Sequence, residues 1–289
     1  MSVLAGKRFI LTASGTSTRG QVAAISAFID RQGGYIEEFA QFDDLDVRRL
    51  FVRAVFHLET EEGADTESLG ENFRPIAERF DFDWAIHDPE APARVLVMVS
   101  RFDHCLNDLL YRWHIGELPV EITAVVSNHP DLEPIARHHD VPFIHLPVSA
   151  ETKRDQEGKL MEIVEETRSE LVVLARYMQI LSGDLCDELQ GRAINIHHSF
   201  LPGFKGAKPY HQAYERGVKL IGATAHYVTR DLDEGPIIEQ VVQRVDHSLR
   251  PKELSAVGRD CESTALSRAV RLHIERRVFL NGSKTVVLR

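Results

Sequence analysis

The sequence has little cysteine, a deficit of positive charge, no long apolar run and, at one turn, no glycine. Its three cysteines, Cys105, Cys186 and Cys261, are widely spaced and odd in number. They fit reduced thiols in a cytoplasmic protein, and neither a disulfide framework nor a zinc site. Acidic residues outnumber basic ones, and the formal net charge is −10. A nucleic-acid binder carries a basic footprint, so no nucleic-acid partner is expected. No apolar stretch approaches the roughly 18–20 residues that span a bilayer, so no membrane partner is expected. The segment Met1 to Arg8 lacks the apolar core of a signal peptide. No glycine occurs between Val99 and Gly116. A loop that cradles a phosphate needs glycines there, so that backbone N–H groups can approach the oxygens.

The 289 residues suffice for one large or two ordinary domains. The first part predicts strands over Arg8–Thr12, Tyr35–Phe42, Leu50–Leu58 and Phe82–Ile86. Helices are predicted over Gln21–Arg31, which ends at Gly33-Gly34, and over Ser68–Phe80. Pro75 should start that second helix late or bend it. The order β-α-β-β-α-β is that of a ferredoxin-like unit. Asp88 to Pro92 then reads as a polar linker.

The second part alternates strand and helix. Arg94–Ser100, Glu121–Ser127, Val141–His145 and Leu171–Ala175 are apolar runs of the kind buried on both faces of a parallel sheet. Cys105–Trp113, Leu132–His138 and Gln156–Ser169 read as helices between them. A long helix is expected from Pro251 to Phe279, and a closing strand from Thr285 to Leu288. This is the pattern of a doubly wound, mostly parallel α/β sheet. The domain expectation is therefore 1–87, a linker 88–93, and 94–289.

The stretch from Arg192 to Gln240 carries the chemistry. Ala193 to His197 reads as a strand, in which Asn195 and His197 share one face while Ile194 and Ile196 point into the sheet. Leu201-Pro202-Gly203 breaks it, and open α/β sheets place their sites at such strand ends. A further strand, Leu220–Val228, leads into a loop that contains Asp233. If the loops face each other, Asn195, His197 and Asp233 form an amide, imidazole and carboxylate set. The carboxylate fixes the imidazole tautomer, the imidazole moves protons, and the amide donates to an oxyanion. With water or an amine as nucleophile, this set performs acyl transfer without Ser or Cys. His198, by strand alternation, should point away from His197. His211 and His226 should be satisfied by hydrogen bonds. The sequence has no H-E-x-x-H and no C-x-x-C, so no metal is expected.

These residues resemble the signature of enzymes that use 10-formyltetrahydrofolate. The shared features are Asn195-x-His197, Leu201-Pro202 and Leu232-Asp233-Glu234-Gly235-Pro236. Gly206-Ala207-Lys208-Pro209-Tyr210-His211, Gly222-Ala223-Thr224-Ala225-His226-Tyr227 and Gly258-Arg259-Asp260 are similar to the formyltetrahydrofolate deformylases in particular. The resemblance is strong from about Arg94 onward. It implies a formyltransferase-like catalytic domain that hydrolyses 10-formyltetrahydrofolate to tetrahydrofolate and formate, in one-carbon metabolism, either supplying formate for purine synthesis or balancing folate pools. The catalytic residues would be Asn195, His197 and Asp233, with no cofactor beyond the folate substrate itself. Met178, Gln179, Ile180 and Leu181 would form one wall of the pterin slot. Val228, Thr229, Arg230, Asp231 and Leu232 would form the other. The N-terminal part resembles an ACT domain and implies a homo-oligomer. The ACT domains of deformylases usually carry a Pro-Asp-x-x-Gly turn, where this chain has Ser14 to Gly20. Without that acidic residue, an assembly module is expected and not an amino-acid sensor.

Related glycinamide ribonucleotide formyltransferases hold the substrate phosphate in a glycine-rich loop after the first strand of this domain. Here that turn is Ser100 to Cys105, without glycine. Water as nucleophile is therefore the expectation. Two alternatives stand beside it: transfer to a non-phosphorylated amine, and a non-catalytic folate or amino-acid sensor. His104 and Cys105 match the deformylase pattern, and packing at the strand end is the simpler role for Cys105.

Overall fold

A computed structural model describes residues 6–58, 65–201 and 209–289. By contact the chain divides into two compact units. The first holds Met1–Ala91 together with Glu275–Phe279 and Val286–Arg289. The second holds Pro92–Ile274 and Leu280–Thr285.

The first unit runs β1 (Lys7–Thr16), α1 (Gln21–Arg31), β2 (Gly34–Asp44), β3 (Arg49–Leu58), α2 (Thr66–Phe80) and β4 (Asp83–His87). Its antiparallel sheet has the order β2-β3-β1-β4, a ferredoxin-like arrangement. Alternation along β1 puts Phe9, Leu11 and Ala13 on the face that meets Ile25, Phe28 and Ile29 of α1 and Phe73 of α2. Helix α2 begins at Thr66, ahead of the expected Ser68. Asp65 caps it, accepting from the Ser68 N–H at 2.7 Å, while Ser68 reaches back to the Asp65 N–H. This reciprocal cap sets the start, and Pro75 ends up inside the helix. Two C-terminal contacts belong to this unit as well. The buried Arg53 donates to the Glu275 carbonyl at 2.9 Å, and Arg277 pairs with Glu38 at 2.8 Å.

The second unit contains β5 (Ala93–Val99), α3 (His104–His114), β6 (Val120–Ser127), α4 (Glu133–His138), β7 (Phe143–His145), α5 (Lys153–Glu166), β8 (Leu171–Leu174), α6 (Gly183–Glu188), β9 (Ala193–His197), α7 (Pro209–Arg216), β10 (Leu220–Tyr227), β11 (Ile237–Arg244) and α8 (Pro251–Ile274). The sheet order is β11-β10-β9-β8-β5-β6-β7. Strands β5 to β9 pair in parallel, and β10 and β11 add in antiparallel sense. The apolar runs of β5 and β8 are buried, as strands covered on both faces must be. Leu96, Met98, Val172, Leu174 and Leu160 form the core of one face. Helix α8 packs along β9, β10 and β11.

The long helix stops at Ile274, five residues before the expected end at Phe279. Arg276 takes φ 57° and turns the chain, and β12 (Val278–Asn281) pairs with β13 (Lys284–Val287) around Gly282 at φ 61°. A left-handed residue ends a helix, and Val278 and Phe279 suit a strand. Strand β11 and helices α6 and α7 were not foreseen in the sequence. Two of the sequence motifs, Pro202-Gly203 and Gly206-Ala207-Lys208, lie outside the described residues.

Candidate active site

Asn195 and His197 occupy one face of β9, while Ile194 and Ile196 are buried. The two polar side chains line a cavity of about 270 Å³. Asp233 reaches them by an unexpected route. β10 runs antiparallel to β9, with Tyr227 opposite Ile194 and Thr224 opposite His197. The loop after β10 therefore departs beside Ile194, upstream of His197, and must fold back. Two features turn it. Asp233 itself takes φ 58°, and the Tyr227 N–H donates to the Pro236 carbonyl at 2.9 Å. Gly235 passes so close that a Cβ there would overlap the Tyr227 carbonyl oxygen. A non-glycine residue at positive φ is uncommon, and such positions cluster at functional sites.

Folded back, Asp233 places Oδ1 at 3.1 Å from His197 Nδ1. The carboxylate is an acceptor, so Nδ1 carries the proton and donates. His197 Nε2 is left buried, without a hydrogen-bond partner among the described residues. Burial alone would raise the Asp233 carboxyl. The His197 hydrogen bond and the neighbouring imidazoles of His197 and His226 outweigh it and hold Asp233 well below the usual carboxylate range.

His226 belongs to the same set. The residue is 2% exposed, with Nδ1 2.9 Å from the Tyr227 carbonyl and Nε2 3.3 Å from the Asn195 amide nitrogen. A carbonyl only accepts, so Nδ1 holds the proton and Nε2 accepts from Asn195. His226 Nε2 is 3.8 Å from Asp233, too far for a hydrogen bond. The expectation that hydrogen bonds satisfy His226 is met, but by the site itself. The alternation of Thr224 with His226 among the small residues Gly222, Ala223 and Ala225 was a readable signal.

The cavity walls hold every residue expected of the folate slot. Met178, Gln179, Ile180 and Leu181 come from the segment after β8, and Val228, Thr229, Arg230, Asp231 and Leu232 from the loop after β10. Met178, Ile180 and Leu232 are exposed apolar side chains at the rim of this cavity. Apolar surface collected around a cavity suits a flat, largely apolar ligand. The Met178 N–H is already taken by Ser100 Oγ at 3.0 Å. Arg230 engages Asp187 through two nitrogens, which fixes the loop against α6.

The comparisons with known proteins agree along the whole chain. The Formyl transferase family matches residues 93–270. A formyltetrahydrofolate deformylase from Corynebacterium sp. (strain P-1) is 51% identical over 282 residues, covering 98% of each chain. The crystal structure of formyltetrahydrofolate deformylase from Burkholderia mallei ATCC 23344 is 57% identical, with a TM-score of 0.94, and covers 98% of this chain and 100% of its own. One from Pseudomonas putida KT2440 is 50% identical, with a TM-score of 0.92, covering 97% of this chain and 100% of its own. The chain belongs to the formyltetrahydrofolate deformylases.

In this deformylase a second polar cluster lies at the turn that lacks glycine. Glu262 of α8 is 1% exposed and accepts from His104 Nε2 and from the Tyr210 hydroxyl, both at 2.8 Å. Burial would raise its carboxyl, but the His104 hydrogen bond and the Arg176 charge lower it. Ligand atoms of His104, Cys105 and Glu262 lie within 4.8 Å of one another, close enough to hold an ion. One observation speaks against a cation there: the Arg176 guanidinium is 3.4 Å from the same carboxylate. Cys105 is fully buried and packs. Among the described residues, no helix is long and apolar enough to cross a membrane.

Proposed function

We propose that the protein hydrolyses 10-formyltetrahydrofolate to tetrahydrofolate and formate, with Asn195, His197 and Asp233 as the catalytic residues. The observation that carries this reading is the Asp233–His197 contact in the same cavity as the Asn195 amide. The family points to the substrate, and the geometry supports the proposed roles.

The pterin lies between the segment Met178–Leu181 and the segment Val228–Leu232. Its N10-formyl group then reaches Asn195 and His197. Asp233 holds His197 Nδ1–H, so Nε2 faces the substrate as a base. A water oxygen bonds to the formyl carbon as Nε2 takes its proton. Asp233 stabilises the imidazolium that forms. One Asn195 amide hydrogen is held by His226, and the other donates to the oxyanion. The bond from carbon to N10 breaks, and N10 takes the proton from His197. The formic acid formed ionises within the site, its proton passing to solvent water, and leaves as formate. A single oxyanion donor of this kind contributes roughly 2.7–4 kcal/mol to the transition state. The step calls on no cofactor.

Hydrolysis in ¹⁸O-labelled water tests this directly. One label is expected in each formate. Unlabelled formate, or a formylated amine in its place, would contradict it. The N-terminal unit serves as an ACT-like assembly module of a cytoplasmic homo-oligomer. Light scattering on the full chain tests that part, and a monomer would contradict it.

A further inference from the structure

The mechanism leaves a buried charge in its own cavity unused. Arg176 lies two residues after the end of β8 and lines the same cavity as His197, yet it is only 9% exposed. Its backbone takes φ 66°, where glycine would be unstrained. A long cationic side chain kept at a strained position beside reacting groups points to a use for that charge. The guanidinium sits over the Phe102 ring, 4.8 Å from its centroid. Its Nε is 3.4 Å from Glu262, but Nε and Nη1 have no hydrogen-bond partner among the described residues. Glu262 is engaged elsewhere, accepting from His104 and Tyr210. Buried guanidinium N–H groups without acceptors are costly, and an anion relieves that cost.

The same cavity also holds His198, whose ring stacks on His197 with centroids 5.0 Å apart and does not point away from it, as strand alternation led one to expect. Burial, and next the Arg176 charge, lower His198 to about 4, so it is neutral at physiological pH and adds no competing charge.

We propose that Arg176 anchors a subsite for a small carboxylate, which takes the formate product as it leaves His197. This rests on the deformylase reading. The substrate's formyl group is a neutral amide and has no need of a guanidinium. Hydrolysis turns it into a two-oxygen anion inside a partly closed site. A guanidinium fork matches that anion with paired N–H donors. Glu262, close to Nε, offsets part of the attraction, so formate is held weakly and can leave.

The test uses the full chain, sodium formate as inhibitor of turnover, and sodium chloride at equal ionic strength as control. A parallel titration follows binding of ¹³C-formate by NMR. Arg176→Gly suits φ 66° and removes the charge; Arg176→Lys keeps the charge without the fork. In Arg176→Gly the formate inhibition constant should rise about tenfold or more, while inhibition by tetrahydrofolate is unchanged. A variant that turns over with wild-type sensitivity to formate overturns the subsite. If the wild-type chain releases no formate from the folate, the deformylase reading fails, and the NMR titration still decides the subsite. Formate binding that is lost in Arg176→Gly supports it, and binding no stronger than that of chloride overturns it. Should Arg176→Gly fail to fold, Arg176→Lys is judged by the same criteria.

Discussion

His226 Nε2 lies 3.3 Å from the Asn195 amide nitrogen, and the Tyr227 carbonyl fixes which His226 nitrogen carries the proton. The amide can therefore face only one way: nitrogen toward His226, with its second hydrogen toward the substrate. His226 is in this account a positioning residue that acts through Asn195. His226→Phe should lower kcat roughly 10- to 100-fold, less than loss of the oxyanion donor itself. KM should change little, because the pterin walls are untouched. Steady-state kinetics resolve the two constants, and an effect confined to KM would contradict the assignment.

Asp233 combines a left-handed backbone with a carboxylate held low by His197. Asn tolerates positive φ better than most residues, so Asp233→Asn should fold normally. It cannot stabilise the imidazolium and can impose the wrong tautomer. Turnover should fall by at least about 100-fold, and by as much as about 10,000-fold as in other triads. Circular dichroism and single-turnover formate release check both halves of this prediction.

Gly235 is required by space, since a Cβ would overlap the Tyr227 carbonyl. Gly235→Ala must displace the returning loop, at a cost of roughly 1–3 kcal/mol, and carry Asp233 away from His197. Both the denaturation midpoint and kcat should fall. A stable, fully active variant would mean that the loop position does not matter.

Acid should destabilise the protein before its carboxylates titrate. Burial lowers His198 and His87 from 6.5 to about 4, so the folded chain keeps them neutral while the unfolded chain takes up protons. Stability is then lost as pH falls from about 6.5 to about 4, by up to about 3 kcal/mol for His198. Asp233 and Glu262 are shifted down instead, so their contribution is present above the ordinary carboxylate range and is lost below it. Chemical denaturation across this range, with His198→Asn for comparison, should show a flatter acid limb in the variant.

What the sequence disclosed depended on how local each feature is. The shared face of Asn195 and His197 follows from two-residue alternation and needs no tertiary knowledge. The four-stranded unit and the buried parallel strands follow equally from short patterns. The route of Asp233 does not, because it depends on β10 joining β9 in antiparallel sense. Arg176 was passed over because its partner Glu262 lies far along the chain and its left-handed backbone leaves no trace in composition. The end of α8 at Ile274 was missed because Arg276, an ordinary helix former by type, is the residue that turns the chain.

The most direct test of the central claim is the yield of formate and tetrahydrofolate from 10-formyltetrahydrofolate, with no amine present and a chelator added. Equal release of the two by the wild type, and its near loss in His197→Ala, is the predicted result. Folate binding without formate release until an amine is supplied would contradict hydrolysis, and undiminished release by His197→Ala would contradict the site.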